Sequence, residues 1–237
     1  MCLFFFGVMT VSGWAVDLAS SIPTRCREVV LVVTPDWPAT TGELQRFERA
    51  SSGSRWQSVG GRVPVLLGRN GLAWGLGWHP PAGLAGPRKV EGDGRAPAGV
   101  FSLGPVFGRK PREQLAWLRM NYRQLSPTTE GIDDPKSRYY GQLVDRKSLP
   151  LPDWKSSEQM WRPEAYEIGV VVGHNPEHRP GAGSCIFLHV WIEGIKGTSG
   201  CTALHRADLE ELLRWLDAGK EPVIVQLPAA VRGSLGF

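Results

Sequence analysis

Cys201 and His189 are the two side chains of this 237-residue chain whose types, taken together, perform nucleophilic acyl transfer. Cysteine attacks as the thiolate, so it needs a base nearby to draw off its proton. Thr198-Ser199-Gly200-Cys201 reads as a turn in which Gly200 lets backbone N–H groups approach a substrate carbonyl, and the amides around Ser199 to Cys201 are suited to hold an oxyanion. His189 stands on the apolar run before that turn, a short loop away. The pair alone does not decide the chemistry, because buried cysteines are common and strand histidines often satisfy only local hydrogen bonds.

The elements that must position these residues read as mostly strands. EVVLVVT (Glu28–Thr34) is a β-branched run ending at Thr34-Pro35-Asp36, and Glu43 to Arg49 alternates as its hairpin partner. Arg62 to Leu67 gives a further strand, and the glycine-rich RNGLAWGLGWHP after it reads as a loop. Gly94 to Leu103 is expected to turn at Pro97 to Gly99 into another strand, and Tyr166 to Gly173 and Ser184 to Trp191 give two more. Arg206 to Leu216 carries apolar residues at 209, 212, 213 and 216, one helical face, with Gly219 as the expected C-cap, and Val223 to Leu227 is a last strand. The Cys201 turn is thus expected between a strand and a helix, in a mainly β (β-rich α+β) domain with a mixed sheet core. Residues 105–165 have weaker periodicity and read as an insertion, lid-like in length, on that core.

Phe187-Leu188-His189 followed by Thr198-Ser199-Gly200-Cys201 resembles the histidine, short spacer and Ser/Thr-x-Gly-Cys signature of L,D-transpeptidase catalytic domains, also called YkuD-like. Gly92-Asp93-Gly94-Arg95-Ala96-Pro97-Ala98-Gly99-Val100-Phe101 resembles the upstream Gly-Asp, Thr-Pro-x-Gly-x-Phe segment of that family. The resemblance runs from about residue 28 to 227. It implies a mixed β sandwich or barrel with one helix after the nucleophile, and no cofactor. It implies Cys201 as the acyl-enzyme nucleophile, His189 as its base oriented by a backbone carbonyl, and Gly200 with Ser199 and neighbouring amides as the oxyanion hole. Peptidoglycan stem peptides are the implied partner, with an amine as acceptor for cross-linking, D-amino acid exchange or protein attachment. Water as acceptor would make the same site an L,D-carboxypeptidase, and another wall linkage would make it an amidase.

The chain departs from the family pattern where Ser199 replaces the usual histidine before Gly-Cys and Ala203 replaces a basic residue two after Cys. Arg138, Arg179 and Arg206 are the candidates to supply the missing positive charge for a stem-peptide carboxylate, each otherwise a solvated arginine. His174, at the end of a buried-type strand, is a candidate for the same cleft or else a structural polar cap. Tyr139, Tyr140 and Trp191 are candidates to pack on substrate or else belong to core or lid packing. A zinc site drawn from His174, Cys185, His189 and Cys201 lacks any Cys-x2-Cys or His-x3-His spacing, so no metal is expected. Papain-like enzymes place Cys before His, the reverse of the order here. A catalytically silent wall-binding module would have no need to keep both Cys201 and His189.

Residues 1–20 contain an apolar run from Leu3 to Val16 followed by small residues, which reads as a signal peptide directing the chain to the periplasm or cell wall. One catalytic domain, residues 21–237, is expected after it, monomeric and without stable membrane insertion. The formal net charge of +4 suits an anionic polymer. Nucleic acid is not the expected partner, because the basic residues are scattered singly with no stripe interleaved by aromatics. Cys26, Cys185 and Cys201 would remain after leader removal; Cys26 with Cys185 is the expected disulfide if one forms, and a buried unpaired Cys26 is the alternative.

Overall fold

β1 (Glu28–Thr34) is apolar on both faces because it is covered on both: Val29, Val30 and Val32 are fully buried. It pairs antiparallel with β2 (Thr41–Glu48) and parallel with β13 (Val223–Pro228). The structure, a computed structural model, describes residues 18–80 and 85–231, so most of the expected leader lies outside the described residues. In chain order the other strands are β3 (Gln57–Leu66), β4 (Leu72–Trp74), β5 (Ala96–Gly108), β6 (Tyr122–Gln124), β7 (Thr129–Gly131), β8 (Leu143–Asp145), β9 (Glu158–Gln159), β10 (Ile168–Val172), β11 (Phe187–Val190) and β12 (Thr202–Leu204). α1 (Arg206–Trp215) is the α-helix of the described residues.

The large sheet runs β10-β11-β12-β3-β2-β1-β13-β5-β4, and β10 also pairs with β5, which closes the path into a barrel. The fold is therefore mainly β. Phe101, Val100, Ile224 and Val225 are fully buried on the two faces of adjacent strands in one core cluster, and α1 adds Leu209, Leu212 and Leu213 to it at helical spacing. No helix among the described residues is long and apolar enough to cross a membrane.

The structure corrects several expectations. Pro97 to Gly99 is not a turn but lies inside β5. Proline's fixed φ suits extended backbone, the Pro97 carbonyl accepts from the buried Gln226 amide (3.0 Å), and Gly99, at φ +136°, leaves room for the His79 ring, which would stand 2.0 Å from a Cβ there. The glycine-rich segment after β3 contains β4, held parallel to β5 with Leu72 opposite Ala96. Gly219 does not cap α1: the helix ends as Leu216 turns extended (φ −61°, ψ 137°), and the Gly219 N–H donates to Asp217 Oδ1 in the next turn (2.9 Å). Cys26 and Cys185 form no disulfide; Cys26 donates to the Glu28 carbonyl at the start of β1 (3.2 Å), while Cys185 donates to the Ile132 carbonyl (3.8 Å).

Within residues 105–165, the end of β5 still belongs to the barrel. Opposite β10 its register slips around Gly104-Pro105, where proline has no N–H to give the ladder. The rest carries a second sheet, β8-β7-β9, organised on one carboxylate. Glu130 accepts from Arg146 (2.6 and 3.0 Å), Trp154 Nε1 (2.8 Å) and Ser157 Oγ (2.6 Å), tying β7 to the segment that leads into β9.

Candidate active site

Thr198 shapes the turn that carries Cys201. Its hydroxyl donates to the Cys201 carbonyl (2.6 Å) and accepts from the Gly200 N–H (3.1 Å), while its backbone is held by Leu67 and Arg69 (both 2.8 Å). Gly200 has φ +153°, and a Cβ there would press on the Arg95 carbonyl at 3.1 Å. The Ser199 hydroxyl receives a bond from Arg69 (3.1 Å).

The turn lies between β11 and β12, not between a strand and a helix as the sequence suggests: β12 intervenes and α1 begins only at Arg206. The N-terminus of α1 therefore does not follow directly on Cys201. What the short strand provides is register. β12 runs parallel to β11 with Ala203 opposite His189, and Cys201, two residues before Ala203, projects to the same face. Phe187 N–H points at Cys201 Sγ (3.4 Å).

Cys201 and His189 line one cavity of about 710 Å³, together with Ser199, Gly200, Lys89, Arg69, Glu158 and Tyr166. The His189 Nδ1 lies 2.9 Å from the Val190 carbonyl. A carbonyl only accepts, so Nδ1 carries the proton and Nε2 keeps its lone pair. The Tyr166 ring stands perpendicular to the imidazole at 5.4 Å, and its hydroxyl donates to Glu158. Burial lowers the His189 pKa below the usual imidazole range, the Val190 contact opposing it. Burial also pushes the Cys201 thiol far up, Glu158 adds to the rise, and the Phe187 N–H and Lys89 pull it back. The Cys201 thiol donates to the Cys185 carbonyl (3.5 Å), and His189 Nε2, with Nδ1 holding the proton, is left as an acceptor in the same cavity.

The remaining candidates fall outside the cavity lining, and several brace it. Tyr140 is buried, donates to Glu91 on the cavity wall and accepts from the Gly183 N–H (3.1 Å). Trp191 stacks on His205 (4.7 Å) and donates to the carbonyl of Ile195, whose side chain lines the cavity. Tyr139 packs edge-on against Trp154 (5.7 Å) in the second sheet's core, with the Arg138 guanidinium over its ring and Arg138 paired to Asp153 (3.0 Å). Arg179 pairs with Glu177, and Arg206 with Glu167 and Glu210. His174 accepts from the Leu76 N–H at Nδ1 (3.2 Å) and donates from Nε2 to the Ala182 carbonyl (3.0 Å); burial lowers its pKa to about 4. Those two bonds make His174 a clamp between loops. Sequence reading passed over Lys89, Arg69, Glu158 and Tyr166, which reach the cavity from four separate segments. Among the described residues no three His, Cys, Asp or Glu converge to hold a metal ion.

The closed mixed barrel presents a cysteine and a carbonyl-oriented histidine to one cavity. The L,D-transpeptidase catalytic domain (YkuD) family matches residues 42–225, from β2 to β13 and across both Cys201 and His189, and the chain belongs to that family. Comparison with curated proteins and with solved structures gave no match.

Proposed function

We propose that this chain is a peptidoglycan L,D-transpeptidase, exported by its N-terminal apolar segment, that works through a Cys201 acyl-enzyme. The observation that carries this reading is the cavity that His189 and Cys201 both line, with the His189 Nδ1–H committed to Val190 and Nε2 left free to act as a base. As Sγ attacks the carbonyl of an L-centre in a stem peptide, its proton passes to His189 Nε2, the C–S bond forms and the carbonyl π pair moves to oxygen. The Gly200 N–H is already given to Thr198, so Ser199 and Cys201 N–H are the donors for that oxyanion, and Gly200 contributes its left-handed backbone. On collapse the C–N bond breaks, and the departing terminal D-residue takes the proton from the imidazolium. An acceptor amine then attacks the thioester, giving a proton to His189, and as the C–S bond breaks the imidazolium returns that proton to the Cys201 sulfur.

The test is incubation of the protein and its Cys201→Ala variant with purified disaccharide-tetrapeptides, with and without an added D-amino acid, followed by mass spectrometry. Cross-linked dimers or D-amino acid exchange, lost in the variant, are expected. Tripeptide alone would make the enzyme a carboxypeptidase, and no turnover would contradict the proposal.

A further inference from the structure

One cation that lines the candidate nucleophile's cavity is buried and comes from outside the nucleophile's turn. Lys89 lies between β4 and β5, and its side chain is only 3% exposed, a costly setting for an ammonium that nothing uses. The backbone is shaped round it. Gly183, at φ +100°, passes so close that a Cβ would stand 3.1 Å from Lys89 Cε, and the Cβ position of Gly200 is 3.7 Å from Lys89 Nζ. Asp93 accepts from Lys89 Nζ (2.6 Å) and from the backbone N–H groups of Val90 (3.0 Å) and Arg95 (2.9 Å), so one carboxylate both fixes the loop and aims the lysine. Of the three ammonium donors, one goes to Asp93 and one to the Val90 carbonyl (3.1 Å), which leaves a third for the cavity that Lys89 lines.

We propose that Lys89 supplies the positive charge of the acyl-transfer site, stabilising first the Cys201 thiolate and then the oxyanion. The inference rests on Cys201 being the nucleophile. In this role Lys89 acts through its charge and transfers no proton. Several other groups surround it or share its cavity: Asp93 and Glu91 on its own loop, Arg69 after β3, His174 beyond Gly183, Cys185 and His189 around β11, and Glu158 with Tyr166 across the cavity. Glu158 opposes Lys89 in its effect on the thiol, while the Phe187 N–H, first, and then the cation favour charge on sulfur.

The test is the rate of Cys201 carbamidomethylation by iodoacetamide in the full chain between pH 7 and 10, read on the Cys201 peptide by mass spectrometry. Lys89→Met alone would uncover the Asp93 carboxylate and slow the reaction for that reason, so the deciding variants are Lys89→Met/Asp93→Asn and Asp93→Asn. At pH 8 the double variant is expected to react about tenfold more slowly than wild type, the effect of about one pKa unit, and Asp93→Asn faster than wild type. Unchanged rates in folded variants would overturn the proposal and leave Lys89 as the counter-ion of Asp93. Should the double variant fail to fold, an unchanged rate in Asp93→Asn overturns it alone. Alkylation needs no stem peptide, so a Lys89 effect in a protein that turns over no stem peptide would sink the proposed function and leave this inference standing.

Discussion

At the residue scale, the neutral thiol and neutral imidazole mean that proton transfer accompanies attack. His189→Ala should therefore lower kcat/KM by roughly 10²- to 10⁴-fold while Cys201→Ala abolishes turnover. With burial holding the thiol well above its ordinary value, the alkylation rate of Cys201 in the free protein should keep climbing past pH 9; a plateau near neutral pH would show a preformed thiolate. Thr198→Val removes the hydroxyl that serves both Gly200 and Cys201 and should cost about 1–3 kcal/mol, visible as a lowered thermal midpoint. Cys201, His189 and the glycine between the oxyanion donors were legible in the chain because they sit within one short stretch. Lys89 and Glu158 were not, since neither belongs to a periodic segment and only the barrel's closure and the second sheet bring them to the cavity.

At the element scale, α1 is anchored by Leu212, 1% exposed in the core, and Leu212→Ala should destabilise the protein by about 2–5 kcal/mol in denaturant unfolding. The second sheet depends on Glu130, whose carboxyl is held below its usual range by Arg146 first and by Ser157 and Trp154 as well. A depressed carboxyl stabilises the fold above its unfolded value, and that contribution is lost as pH falls through the folded one. Glu130→Gln should therefore loosen the β7–β9 region, seen as faster amide exchange there. β1, α1 and β13 could be read from the sequence because their apolar patterns are strong and local. β4 and the start of β5 could not, because a three-residue strand is defined by its partner, and Pro97 and Gly99 imitate a turn until Gln226 and His79 are seen to use them.

At the scale of the whole molecule, three buried histidines, His79, His174 and His189, all have pKa values lowered chiefly by burial. A depressed imidazole leaves the unfolded chain binding the proton first, so stability is full above about pH 6.5 and falls as pH drops towards 4. His174, with its pKa near 4, should account for a large part of that loss. A thermal midpoint unchanged between pH 7 and 4.5 would contradict this reading. The most direct test of the central claim is the intact mass of the protein mixed briefly with a disaccharide-tetrapeptide. The account predicts an adduct of the disaccharide-tripeptide acyl group on Cys201, released by hydroxylamine and absent from Cys201→Ala. Stem-peptide products formed without that adduct, or formed equally by Cys201→Ala, would contradict it.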